Sequence, residues 1–208
     1  LHIRGFLSAQ SLGLSAASRA RRLAGLKAFF RFLTRRKVIE VNPARRIKAP
    51  KLPARLPRAV PIDEAFALME APDAQKVLGL RDRAMLEVLY GGGLRVSELS
   101  GLDVDDVDAS SGTVRVLGKG NKERVCPLHA GAVAALLAWL QRRGELLAKP
   151  SKRQDPRALF LNFYGGRLTS RSVERHLDRY VAQLGLSRKV SPHALRHSFA
   201  THLLAGGA

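Results

Sequence analysis

The residues in this chain with types and spacing suited to chemistry are basic side chains at helix starts and glycine turns. In Ser191-Pro192-His193-Ala194-Leu195-Arg196-His197, Ser191 is a good N-cap. Pro192 suits the first helical position, where a missing N–H costs nothing. Ala194, Leu195, Phe199, Leu203 and Leu204 predict an apolar helix face. His193 and Arg196 then fall one turn apart in the first turns of that helix. The helix dipole disfavours cations there. An anion against the free N–H groups would reverse that preference, and phosphate is the usual one. Arg95 also opens a short helix, after the glycines at 91–93, where backbone can come close to a ligand. Lys119 lies in Gly118-Lys119-Gly120-Asn121-Lys122, between the alternating segments 113–117 and 123–127, near the tip of a predicted β-hairpin.

Residue types alone leave other readings open. Arg95 and Arg196 could be core arginines paired with Glu98 or Asp103, and Lys119 a solvated hairpin tip. His193 and His197 have a metal-ligand spacing. They lack an accompanying HExxH glutamate or nearby cysteine, so no metal and no cofactor is assigned. Cys126, in an alternating strand before Pro127, reads as a small buried hydrophobe.

The whole chain must position these groups. It has 208 residues, 36 Lys/Arg against 17 Asp/Glu, a net charge of +19 and a pI of about 11.3. Such an excess points to a polyanionic partner, nucleic acid first; a ribosomal-type RNA binder would share it. The single cysteine excludes an intramolecular disulfide and suits a reducing cytoplasm. No apolar run approaches the ~20 residues of a membrane span, and no signal peptide opens the chain. The chain lacks an initiating Met and stops just past a predicted helix end, which reads as a fragment.

Charge divides the chain. Residues 1–60 carry 15 Lys/Arg against Glu40 alone, a net of +14. Residues 61–208 carry 21 against 16, a net of +5. The first part holds a predicted helix from about Ala16 to Lys37 with Leu23, Leu26, Phe29, Phe30 and Leu33 as its stripe. Its other faces are basic throughout, without the mixed signs of an ordinary solvated helix. Ala44 to Ile47 reads as a short helix. Four prolines between Ala49 and Pro61 predict an extended basic linker. The organisation expected is a helical DNA-holding domain over 1–48, a linker over 49–61 and an α+β domain over 62–208.

In that last domain, helices are predicted over Asp63–Met69, Leu80–Tyr90 and within Leu128–Leu147, and from Thr169 or Ser170 to Leu184. Leu159-Phe160-Leu161 is a short buried segment. The fold class is mainly α with a small antiparallel β-sheet. Candidate DNA contacts are Arg19, Arg22, Lys27, Arg31, Lys51, Arg55, Lys122, Arg124, Arg171 and Arg175; Arg171, Arg175 and Arg179 repeat every four residues on one helix.

Three motifs line up in order: GLRVSEL with Arg95, GKGNKER with Lys119, and HALRHSFATHLL with His193 and Arg196. Together they resemble the tyrosine recombinase (phage integrase) family. LRDRAMLEVLYGGGLRVSELSGLD, APKLP and FFRFL resemble its bacterial Xer branch, XerC-like more than XerD-like. The resemblance implies a two-domain C-shaped clamp on duplex DNA and strand exchange through a 3′-phosphotyrosyl bond, without ATP or metal. It implies that Arg95 and Arg196 hold the non-bridging oxygens, where a planar, permanently charged fork suits the transition state. It implies that Lys119 protonates the leaving 5′-oxygen, that His193 assists at the phosphate or the nucleophile, and that Glu98 orients the groups from behind. The implied biology is chromosome-dimer resolution at a short palindromic site in the cytoplasm. The partners are a sister recombinase in a tetrameric synapse and a DNA translocase of the division septum, with no membrane. The alternatives are a non-catalytic DNA-binding protein with the same clamp, or a phage or transposon integrase. None of Tyr90, Tyr164 and Tyr180 fits the nucleophile's place, so none is assigned and these 208 residues are expected to bind DNA without cleaving it.

Overall fold

A computed structural model describes residues 2–9, 13–51, 59–118, 120, 122–148 and 151–205. The chain divides into two compact units, Leu1–Leu56 and Pro57–Ala208.

The first unit contains α1 (His2–Ala9) and α2 (Ala16–Arg35). Ser15 caps α2, its Oγ accepting from the Ser18 amide at 3.1 Å. The helix ends two residues earlier than its pattern predicts. Lys37 takes a left-handed conformation (φ 57°), and the amides of Lys37 and Val38 return to the carbonyls of Thr34 and Leu33. That closing turn is usually made by glycine. The segment Ala44–Ile47 forms turns in place of the expected helix. The Asn42 side chain accounts for this: its Oδ1 accepts from the Ala44 amide and its Nδ2 donates to the Lys27 carbonyl, folding the chain back on α2. Leu23 and Ala44 are buried, whereas Phe29, predicted to face inward, is exposed together with Phe32.

The second unit is built on α4 (Val77–Gly91), which follows α3 (Ile62–Glu70). Helix α4 is buried along most of its length, with Arg81, Asp82 and Glu87 buried among its apolar residues. Its buried Asp82 is satisfied by Arg81 and by Arg179 and Tyr180 of α7 (Ser170–Gln183). Helix α6 (Ala130–Leu147) packs against α4 and seats Trp139, whose Nε1 donates to the Leu159 carbonyl. Leu159, Phe160 and Leu161 are buried beside it.

Two shorter elements complete the frame. Helix α5 (Val96–Gly101) leaves α4 through the glycine turn. A three-stranded antiparallel sheet has the order β1 (Val107–Asp108), β2 (Thr113–Leu117), β3 (Glu123–Pro127). Its register pairs Leu117 with Glu123 and Val114 with Cys126. Strand β1 has no periodic signal of its own and exists through its pairing with Val114 and Thr113. Helix α8 (Pro192–Ala205) packs on α4 and α3. Leu195 is buried there, but Leu203 and Leu204 are exposed on the last turn and not part of the packed face that their spacing predicts. No helix among the described residues is long and apolar enough to cross a membrane.

Candidate active site

The glycine turn after α4 brings two distant arginines together. Gly93 has φ 54°, and a Cβ there would lie 2.7 Å from the Phe199 ring. Only glycine allows α8 to approach this closely. With α8 against the turn, the Arg196 guanidinium donates to the Gly93 carbonyl. Ser191 starts α8 as expected, its Oγ accepting from the Ala194 amide at 3.2 Å.

Arg95 stands at the start of α5. Its amide donates to Glu98 Oε2 at 2.8 Å and its Nη1 to Glu98 Oε1 at 2.7 Å. Arg124 of β3 grips the same carboxylate with two nitrogens, at 2.8 Å on Oε1 and 2.7 Å on Oε2. Arg196 Nη1 lies 3.7 Å from Oε2. The Glu98 side chain is 3% exposed, while that of Arg95 is 54% exposed. The Arg124 hydrogen bonds, helped by the Arg95 amide and guanidinium, hold the Glu98 carboxyl down to about 2. Asp103, the other acid open to these arginines on sequence, is taken by Arg157 and Arg167.

Arg95, Ser97, His193 and Arg196 line one cavity of about 320 Å³. Three guanidiniums meet a single carboxylate, so the cluster keeps an excess of positive charge beside that cavity. Such a site favours an anion, and its donors are held in place before the ligand arrives. Lys119 lies outside the described residues. Its neighbours Gly118 and Lys122 are joined across the hairpin, the Gly118 amide donating to the Lys122 carbonyl at 2.8 Å.

The three tyrosines are engaged elsewhere. Tyr90 OH is 2.7 Å from His202 Nδ1, and burial raises its pKa. Tyr180 OH donates to Asp82, and burial together with that carboxylate pushes its pKa up to about 12. Tyr164 is exposed in a turn. None lines the cavity of Arg95 and Arg196.

The candidate DNA contacts are spread over both units. Lys27 and Arg31 line a cavity of about 510 Å³ in the first unit, with Arg35, Arg45, Glu40 and Asn42. Arg19 is half-buried and donates to the Leu14 carbonyl. Arg22, Lys51, Lys122, Arg171 and Arg175 are exposed, and Arg55 lies outside the described residues. Arg179, the third member of the α7 stripe, turns to Asp82. Arg124 departs from expectation, because its guanidinium is committed to Glu98. A sequence signal for this exists: Arg124 stands two residues before buried Cys126, on the same face of β3.

Solved structures share this fold. The XerH site-specific recombinase bound to palindromic difH substrate, in a post-cleavage complex, gives a TM-score of 0.79 at 26% identity, over 99% of this chain and 61% of that one. A lambda integrase dimer bound to a COC′ core site gives 0.72 at 21% identity, over 96% and 71%, a likeness of fold alone. The class is thus a helical unit joined to an α+β unit of recombinase type. Residues 59–208 match the phage integrase family and residues 1–37 its N-terminal SAM-like domain, and the chain belongs to that family, the tyrosine recombinases. The tyrosine recombinase XerC of Myxococcus xanthus is 59% identical over 206 residues, 99% of this chain and 69% of the relative. That of Pelotomaculum thermopropionicum is 52% identical over 200 residues, 96% and 65%. The chain spans about two thirds of the length of these relatives.

Proposed function

We propose that this chain carries the phosphate-handling part of a site-specific recombinase that cuts and rejoins duplex DNA. The observation that carries the reading is the convergence of Arg95, His193 and Arg196 on one cavity, with both guanidiniums tied to Glu98. In the reaction a tyrosine oxygen attacks the scissile phosphorus and the bond from phosphorus to the 5′-oxygen breaks. The tyrosine loses its proton, and the 5′-oxygen takes one from the Lys119 ammonium. The 3′-phosphotyrosyl bond conserves the energy of the phosphodiester, so attack by a 5′-hydroxyl of another strand reseals DNA without ATP. Arg95 and Arg196 hold the two non-bridging oxygens, whose charge grows in the transition state. His193 donates a hydrogen bond to the phosphate or helps move the nucleophile's proton. The nucleophile is none of Tyr90, Tyr164 and Tyr180.

Duplex DNA is the partner, held by the phosphate contacts of the half-buried Lys27, of Arg31 and of further exposed cations. The finer reading is chromosome-dimer resolution at a palindromic site in the cytoplasm, by a tetramer that includes a sister recombinase and answers to a DNA translocase. The names of the XerC relatives and the palindromic substrate of the XerH neighbour support it. The test is a nicked suicide substrate offered to the protein expressed from its complete gene. A covalent protein–DNA adduct is expected there, and none with residues 1–208 alone. A complete protein that binds DNA but never forms the adduct would overturn the catalytic reading in favour of a non-catalytic clamp.

A further inference from the structure

Glu98 is buried and carries a full negative charge between the two arginines assigned to the phosphate. Left to itself, such a carboxylate would compete with the phosphate for both of them. Arg95 spends one guanidinium nitrogen on it and Arg196 stands 3.7 Å away, so neither is closed off. Arg124 makes the two-point contact instead, one nitrogen on each oxygen. That planar, forked geometry is the strongest pairing a carboxylate finds in a protein. Arg124 does not line the cavity of Arg95, His193 and Arg196.

We propose that Arg124 is a positioning residue for strand cleavage: it occupies Glu98 so that Arg95 and Arg196 stay aligned beside it yet available to the scissile phosphate. The inference rests on the recombinase reading above and deepens it. Arg124 stands outside the cavity proposed to hold the scissile phosphate. It acts through Glu98, whose charge it balances and whose plane it sets. The end of β2 is fitted to the pair as well. A Cβ at Gly118 would stand 3.3 Å from Arg124 Nη1 and 3.9 Å from Glu98 Oε1. Glycine there lets the guanidinium lie over the carboxylate unhindered. Without Arg124, Glu98 turns its freed oxygens to Arg95 and Arg196 and draws them off the phosphate.

The experiment uses the protein from its complete gene, with adduct formation on a suicide substrate timed in single turnover and DNA affinity measured in parallel. Arg124→Ala is expected to slow adduct formation about 100-fold, the usual cost of misplacing a catalytic group by an ångström, with DNA affinity unchanged. Removing the charge that then traps the arginines should restore part of the rate. Arg124→Ala with Glu98→Gln should be roughly tenfold faster than Arg124→Ala, a coupling that separates positioning from mere support of the fold. An unchanged rate in Arg124→Ala, or no recovery in the double variant, overturns the proposal. If Arg124→Ala fails to fold, Arg124→Lys and Gly118→Ala replace it. Both should cleave more slowly at undiminished DNA affinity, and wild-type rates in both would overturn the proposal. A wild-type protein that forms no adduct overturns instead the recombinase reading on which this inference rests.

Discussion

The two units treat positive charge in opposite ways. In residues 1–56, 14 basic residues face one acid, Glu40, and four of them crowd with it around a single cavity. In the second unit the arginines that matter are paired with carboxylates, Arg81 with buried Asp82, Arg124 with buried Glu98 and Arg167 with the partly exposed Asp103. The first arrangement stores repulsion that a polyanion relieves, and salt screens it. In the second, three guanidiniums share the buried Glu98 carboxylate and leave a small, oriented excess of positive charge beside one cavity. This contrast supports the proposed division, in which the first unit supplies most of the affinity and the second the chemistry. A long-range field needs many loosely held cations, whereas transition-state stabilisation needs few donors with little freedom.

That contrast can be broken at several points. The largest effect is expected for Arg196→Ala in the complete protein. Adduct formation should fall about 1000-fold, as when a preorganised donor to developing charge is removed, with DNA affinity changed only slightly. Parallel gel-shift and cleavage assays measure both, and equal losses would mean that Arg196 holds DNA and not the transition state.

Next comes Glu98→Gln. Replacing the buried carboxylate removes its charge-assisted hydrogen bonds to partly exposed guanidiniums, and the second unit should lose about 2 kcal/mol in denaturant unfolding. The same carboxylate sets a pH dependence. Its folded pKa of about 2 lies below its ordinary 4.5. Its stabilisation is therefore complete above about pH 4.5 and is lost as pH falls towards 2. Urea midpoints measured between pH 6 and pH 3 should decline in the wild type and decline less in Glu98→Gln. Identical slopes would remove Glu98 from the acid sensitivity.

Smaller effects belong to the first unit. Lys27→Ala and Arg31→Ala should each lower the slope of log affinity against log salt by about 1, with cleavage of bound DNA unchanged. A lost cleavage rate at saturating DNA would overturn the proposed separation of the two roles. The smallest change is a gain. Lys37→Gly relieves a left-handed lysine at the end of α2 and should raise stability by under about 1 kcal/mol, since the added freedom of the unfolded glycine offsets part of the relief. Thermal melting of the chain would show it.

Long periodic elements were legible. The pattern Leu80–Tyr90 becomes α4, Val77–Gly91, and Thr169 caps α7 as its hydroxyl suggests. Elements held by partners were not. The two residues of β1 pair only because Val114 and Thr113 arrive beside them. The turns at 44–47 depend on an asparagine side chain that reaches back to α2. At the site, Arg95, His193 and Arg196 could be singled out because each stands at a helix start. Arg124 read as one more surface cation, although its place two residues before Cys126 puts it on the inner face of β3.

By itself the sequence determined which side chains carry charge, where the long helices lie, and that two stretches of very different net charge share one chain. These are properties of residues and of their near neighbours. Only the tertiary structure decided that Arg95, Arg124 and Arg196, from three separate elements, close on Glu98, while Asp103 goes to other arginines. An ion pair requires contact within a few ångströms, and packing in three dimensions, not spacing along the chain, settles which groups come that close.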